Sequence, residues 1–276
     1  MIHAAVPHSL RSQGRLDLSF RRRGEATVID RSFQSGCSRM RLPRRESVAE
    51  APCAVLINTA GGVAEGDRIE QAIAWDEGAR ATVATQAAEK VYRALVHGSR
   101  IETRLEVARG AHAEWLPQET ILFDGARLRR EAKIILAEDV SFLGIESIVL
   151  GRAAMGETMR TGSLRDRMRI WRGGRLIYAD TLALDADIAA LMQRASVGGG
   201  ASAMAVLVHA SGKASSLIDP VRDALAEARG RAAASTWNGL LAVRLLAPDG
   251  ETLRHDIAAA LAVLRDGRPL PRVWRC

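Results

Sequence analysis

Ile101-Glu-Thr-Arg-Leu-Glu-Val107 alternates β-branched or apolar residues with charged ones. That period of two puts one row of side chains on a core and the other in solvent, as in a half-buried strand. Arg80–Thr85 and Glu131–Ala137 carry looser versions of the same pattern. Met168–Trp171 and Arg175–Tyr178 are two further apolar runs facing each other across Gly173-Gly174, a loop suited to a primed hairpin turn. Ser202–His209 and Gly239–Leu246 read as later strands, the second closing on a turn at Pro248-Asp249-Gly250. Turns recur too closely for βαβ units. The pattern therefore predicts a mainly β chain: a sandwich, barrel or solenoid.

Helices are expected only late. Asp219-Pro220 offers a capping carboxylate and a first-turn proline for a helix running to Gly230. Thr252–Asp266 carries Leu253, Ile257, Leu261 and Leu264 on one face and stops before Gly267 and Pro269. A third, short helix is expected over Asp185–Arg194, followed by a flexible break at Gly198-Gly199-Gly200. No other stretch reads as a linker and no fixed-period repeat is visible. Residues 1–276 are expected to form a single domain with a helical C-terminal part.

The 276 residues suffice for a sizeable core, and neither an 18-residue apolar run nor a signal-peptide pattern is present. The expectation is a cytoplasmic chain with no membrane partner. Cys37, Cys53 and Cys276 are odd in number and far apart, which argues for free thiols. The net charge of +7 comes from arginine, since Lys90, Lys133 and Lys213 are the only lysines. Arginine clusters at 21–23 and 44–45 are read as a solvated face, and aromatics make up 4%. An acidic protein partner accounts for this charge at least as well as nucleic acid does.

The search for catalytic chemistry returns nothing sharp. Gly61 and Gly66 have the gap of a phosphate-binding loop, but Asp67-Arg68 follow where lysine and a hydroxyl are needed. His3, His8, His97, His112, His209 and His255 show no metal-ligand spacing. No Gly-x-Ser-x-Gly elbow exists. Asp124 and Glu157 could serve as an acid–base pair of a small-molecule enzyme, the alternative to a binding protein.

Five strings resemble the urease accessory family UreD, also called UreH. They are Asn58–Asp67, Ala84–Arg93, Glu114–Arg127, Leu150-Gly-Arg with Gly156-Glu157, and Leu270–Trp274. Two departures stand out: Glu65 precedes Gly66 where the family usually has a second Gly-Gly, and Ala84-Thr85 replaces Thr-Thr. The resemblance implies a β-helix-like stack of sheets with two C-terminal helices. It also implies a non-enzymatic scaffold that docks on apo-urease, holds UreF, and through it receives the GTPase UreG. No cofactor would be bound tightly; nickel would be in transit.

Transit requires weak oxygen ligands, because thiolates and clustered imidazoles would trap nickel. Within the family-like strings, Asp67, Thr85, Asp124 and Glu157 are the candidate lining, with Asp124 and Glu157 favoured. For Asp67 a turn-capping role is the stronger expectation, and for Thr85 and Gln86 a strand hydrogen bond. Lys90, Tyr92, Arg93, Gln118, Glu119 and Arg152 are expected in structural pairs or at partner surfaces. Trp115 and Trp171 should be core, and Trp274 either core or a partner anchor.

Overall fold

The computed structural model describes residues 11–44, 51–152 and 155–275. His3, His8, Arg45 and Cys276 lie outside them. The decisive stretch forms β8 (Ser99–Val107), with Ile101, Leu105 and Val107 buried and Arg104 exposed. Its neighbours are parallel, and the chain winds as a solenoid that alternates between two sheets.

One sheet runs through β14 (Arg175–Asp187), β13 (Thr161–Arg172), β11 (Arg127–Leu136), β8, β5 (Arg68–Trp75), β1 (Gln13–Arg23) and β2 (Ala26–Gly36). The other runs through β16 (Arg231–Trp237), β17 (Leu240–Ala247), β15 (Ala203–Ala210), β12 (Ser141–Leu150), β9 (His112–Leu116), β6 (Arg80–Thr85), β4 (Cys53–Asn58) and β3 (Ser38–Arg41). The central strands β1, β5, β8, β11 and β13 pair in parallel, as do β4, β6, β9 and β12. Strand starts at Cys53, Arg80, His112 and Ser141 recur about every thirty residues, within the range of solenoid repeats. Short strands β7 (Glu89–Val91) and β10 (Thr120–Leu122) join the end of β12 in a third ladder at one side of the coils.

Between the sheets Leu16, Phe20, Ile73, Trp75, Leu105, Ile134 and Phe142 form the main core. Each such side chain contributes about 1.5–3 kcal/mol by leaving water. A second core lies beneath the helices and a third beneath the short ladder, where Val63, Val91, Leu122, Ile148 and Leu150 pack. At the hairpin, Arg172 pairs with Arg175, and Gly173 and Gly174 sit at φ +52° and +79°, a left-handed turn that glycine tolerates.

The described residues hold three helices, all in the last third: α1 (Ile188–Gln193), α2 (Ile218–Ala224) and α3 (Gly250–Leu264). Several sequence-based boundaries need correction. Residues 185–187 end β14, and Asp187 caps α1 through Ala190 N. Helix α2 grows out of a 3-10 turn over Ala214–Leu217, so Asp219 lies in its first turn instead of capping it. It also stops at Ala224 and not Gly230, because Asp256 accepts the N–H groups of Arg229 (3.0 Å) and Gly230 (2.8 Å) and turns the chain into β16. The chain bends at Pro248-Asp249 as expected, and the Asp249 carboxylate caps α3 through Thr252 N at 2.7 Å. Trp171, expected in the core, lies half-buried on the outer face under Lys133. Among the described residues, no helix is long and apolar enough to cross a membrane.

Candidate functional site

The singled-out residues gather along the third ladder in three neighbouring groups. The first surrounds a cavity of about 240 Å³ bordered by Asn58, Thr85, Gln86, Glu89 and Lys90, with Arg39 also on its wall. Strand β4 delivers Asn58 and β7 delivers Glu89, and the two side chains meet at 3.0 Å. Burial, opposed by the Asn58 amide, pushes the Glu89 carboxyl from an ordinary 4.5 up to about 7. Cys37 lies close enough to feel Asp67 and Glu89, and burial holds its thiol above the usual range.

Asp67 is buried beside this cavity and accepts Ser12 N (2.7 Å) and Ala64 N (2.8 Å), the turn-capping task expected of it. Thr85 Oγ1 accepts Gln118 N at 2.8 Å and donates to Ala87 O at 3.2 Å, so it too ties backbone together. Glu65, one of the two departures from the family pattern, accepts the N–H groups of Leu95, Val96 and His97. These bonds, His97 first, hold its carboxyl at about 2 and order a loop that displays Leu95 and Val96 to solvent.

The second group closes the ends of β12 and β13. Asp124 Oδ1 accepts Arg160 N (2.8 Å) and Thr161 N (2.9 Å), while Glu157 accepts Asp124 N and pairs with Arg152. The Thr161 N–H is the main cause of the lowered Asp124 carboxyl, and the Arg152 hydrogen bond that of Glu157. With both held below the usual range, neither is a neutral acid at pH 7, which a general acid–base pair requires. The geometry gives them a bracing task. Arg152 lies over the Phe123 ring at 4.2 Å, and Tyr92 meets the same ring edge-on at 5.2 Å and donates to Gly61 O. Arg93 packs against Gly125, and neither it nor Lys90 forms an ion pair among the described residues. Gly151 must be glycine: at φ +86°, an added Cβ would strike the Glu157 carbonyl.

The third group anchors the C-terminal segment. Gln118 is buried in the loop between β9 and β10; it donates to Val273 O (2.7 Å) and accepts from Arg254 (2.7 Å). Arg254 also pairs with Glu119 at 3.5 Å and covers the Trp274 ring. Trp274 is core, its indole N–H donating to Leu116 O at 2.9 Å. Glu89 N donates to Glu119 O, linking this anchor to the cavity.

Sequence reading missed Glu89 and Asn58, although both lie inside quoted strings. Glu89 carries no signal of its own between Gln86 and Lys90, and only the fold shows that it borders the cavity. It also missed two buried charge networks. Arg130 from β11 reaches Glu146 on the opposite sheet (2.6 Å), Asp166 on β13 (2.6 Å) and Thr120 Oγ1 (2.9 Å). Glu114 on β9 binds Arg265 (3.1 Å) and Arg268 (2.6 Å) beyond α3, and accepts Thr82 Oγ1.

The raised Glu89 carboxyl sets a pH dependence. A proton held more tightly in the folded state stabilises it fully below about pH 4.5, and that contribution disappears as pH rises through about 7. Urea-unfolding stability should therefore fall between about pH 5 and 8, by up to about 3 kcal/mol from this group. Glu89→Gln should flatten the profile; an unchanged slope would show that Glu89 titrates normally.

Comparison with known proteins follows this geometry. The family described as "UreD urease accessory protein" matches residues 12–275. A urease accessory protein UreD of Azorhizobium caulinodans is 44% identical over 271 residues, 98% of this chain and 99% of its own. That of Xanthobacter autotrophicus is 47% identical over 264 residues (96% and 90%), and that of Rhizobium etli 42% over 273 (99% and 98%). At such identity along nearly the whole length of both partners, the chain belongs to the UreD family of urease accessory proteins.

Proposed function

We propose that this chain is a non-enzymatic scaffold and nickel conduit in urease maturation, and that nickel passes by the cavity beside the third ladder. The observation that carries the reading is the cavity's donor set. Asn58, Thr85, Gln86 and Glu89 offer amide, hydroxyl and carboxyl oxygens, with neither a thiol nor an imidazole among the bordering residues. Such oxygens replace part of a cation's hydration shell and release it again, where nitrogen and sulfur ligands would retain nickel. Glu89, close to half-protonated at neutral pH, gives up its proton as the dication enters and regains it on exit. Arg39 and Lys90 on the wall shorten the stay by repulsion.

On this reading Asp67, Asp124 and Glu157 support the route without lining it, since backbone N–H groups and arginine occupy their carboxylates. The partners are UreF, UreG and apo-urease. GTP hydrolysis is assigned to UreG, in keeping with a Gly61–Gly66 loop that lacks the lysine and hydroxyl that a nucleotide phosphate needs. A co-expression experiment tests the role. Omitting this chain should leave urease assembled but nickel-free, and a tagged form should retain UreF and urease subunits. Full nickel loading in its absence would refute the role.

A further inference from the structure

The solenoid register stacks like charges on the outer face of the first sheet. Arg68, Arg100, Arg129 and Arg165 are aligned partners across β5, β8, β11 and β13. Two residues along each strand, Glu70, Glu102 and Glu131 form a parallel row, ended by Arg15 and Arg167. Two residues further, Arg104, Lys133 and Arg169 make a second basic row. The glutamate row and its neighbours border a shallow depression of about 420 Å³.

Like charges directly opposite each other destabilise a sheet. Pairing across rows relieves part of this: Arg100 with Glu102, and Arg169 with Glu131. The first row is left the least compensated. Arg68, Arg129 and Arg165 are exposed and have no carboxylate partner among the described residues, and the buried Nε of Arg100 has no acceptor. A row in which three of four arginines lack a carboxylate partner, at one end of a striped face, fits a charged ligand better than it fits the fold.

The spacing narrows the ligand. Neighbouring strands lie about 4.8 Å apart, so the four arginines span roughly 14 Å. Carboxylates one helical turn apart recur every ~5.4 Å, a mismatch of ~0.6 Å per step that arginine side chains absorb. Same-face residues of an extended strand are ~6.7 Å apart and drift out of register within two steps. A nucleic-acid backbone would bring phosphates over the adjacent glutamates. We infer that this face docks an α-helix of a protein partner that lies across the strands, its carboxylate stripe on the Arg68–Arg165 row and a basic stripe over the glutamate trough. This does not depend on nickel transit.

The test uses the full chain and three probes. Two are synthetic helical peptides of about 18 residues with identical composition, one with glutamates in a single i, i+4, i+7, i+11 stripe beside lysines, the other with charges scattered. The third is a DNA duplex. Binding is measured at about 50 and 200 mM salt. The striped peptide should bind about tenfold more tightly than the scattered one, and Arg129→Glu/Arg165→Glu should abolish that preference. The neutral pair Arg129→Gln/Arg165→Gln should weaken it with the melting temperature unchanged or raised, since arginine–arginine repulsion is removed. Equal binding of the two peptides, unaltered binding by both variants, or tighter binding of the duplex than of the striped peptide would each overturn the inference.

Discussion

Arg130→Met should lower the unfolding free energy by about 3–5 kcal/mol, the cost of leaving buried charge without its partner. Arg130 is 6% exposed and holds Glu146 and Asp166, one from each sheet, with Thr120 Oγ1 and the Trp115 indole completing the network. Methionine fills similar volume but leaves two carboxylates facing apolar walls, where burial already pushes Glu146 up against the pull of Arg130. The variant's pH profile should reveal the cause. Stranded carboxylates bind protons more tightly when folded, so the variant should gain stability as pH falls towards about 5. Adding Glu146→Gln and Asp166→Asn should restore most of the loss. A single variant as stable as the parent at neutral pH would mean that the network holds nothing together.

Glu114→Ala should cost a similar 3–5 kcal/mol, with a different signature. Glu114 is the buried anion to which Arg265 and Arg268 bind after α3, and Arg265 is itself only 5% exposed. Burial alone would raise this carboxyl, but Arg265 and then Arg268 pull it below the usual range. A depressed folded-state value gives stability above the unfolded value that is lost as pH falls through the folded one, so the parent should lose its C-terminal contacts in acid. In Glu114→Ala, hydrogen exchange should rise first in α3 and the Arg272–Trp274 turn, before the central strands. Uniform exchange through the whole chain would show that the C-terminal segment is not a separate anchor.

These networks mark where sequence reading reached its limit. The period of two in β8, the glycines of the hairpin and the apolar face of α3 are local signals, and each element lies within a few residues of its expected place. The solenoid winding is not local. Its coils share a length and a register, but the inward positions need only apolar content, and the outer Arg-x-Glu steps at 68, 100 and 129 are too short and too unevenly spaced to mark a period in the sequence. Arg130 and Glu114 sit at inward positions of strands that otherwise read correctly, and nothing in a single sequence says that a charge will find its counter-charge across the core. Asp124 and Glu157 stood out as carboxylates in quoted strings. Their backbone partners, the Arg160 N–H 36 residues from Asp124 and the Asp124 N–H 33 residues from Glu157, became visible only with the loops in place. Glu89 was inconspicuous for the converse reason: its importance comes from burial next to Asn58.

The most direct measurement is the nickel content of urease matured by Glu89→Leu, purified with its accessory proteins and compared with urease matured by the parent chain. Leucine keeps the volume and removes the oxygen ligand. Passage beside Asn58 and Glu89 requires nickel per active site to fall about tenfold while the complex still assembles. Normal nickel loading by that variant would place the route elsewhere.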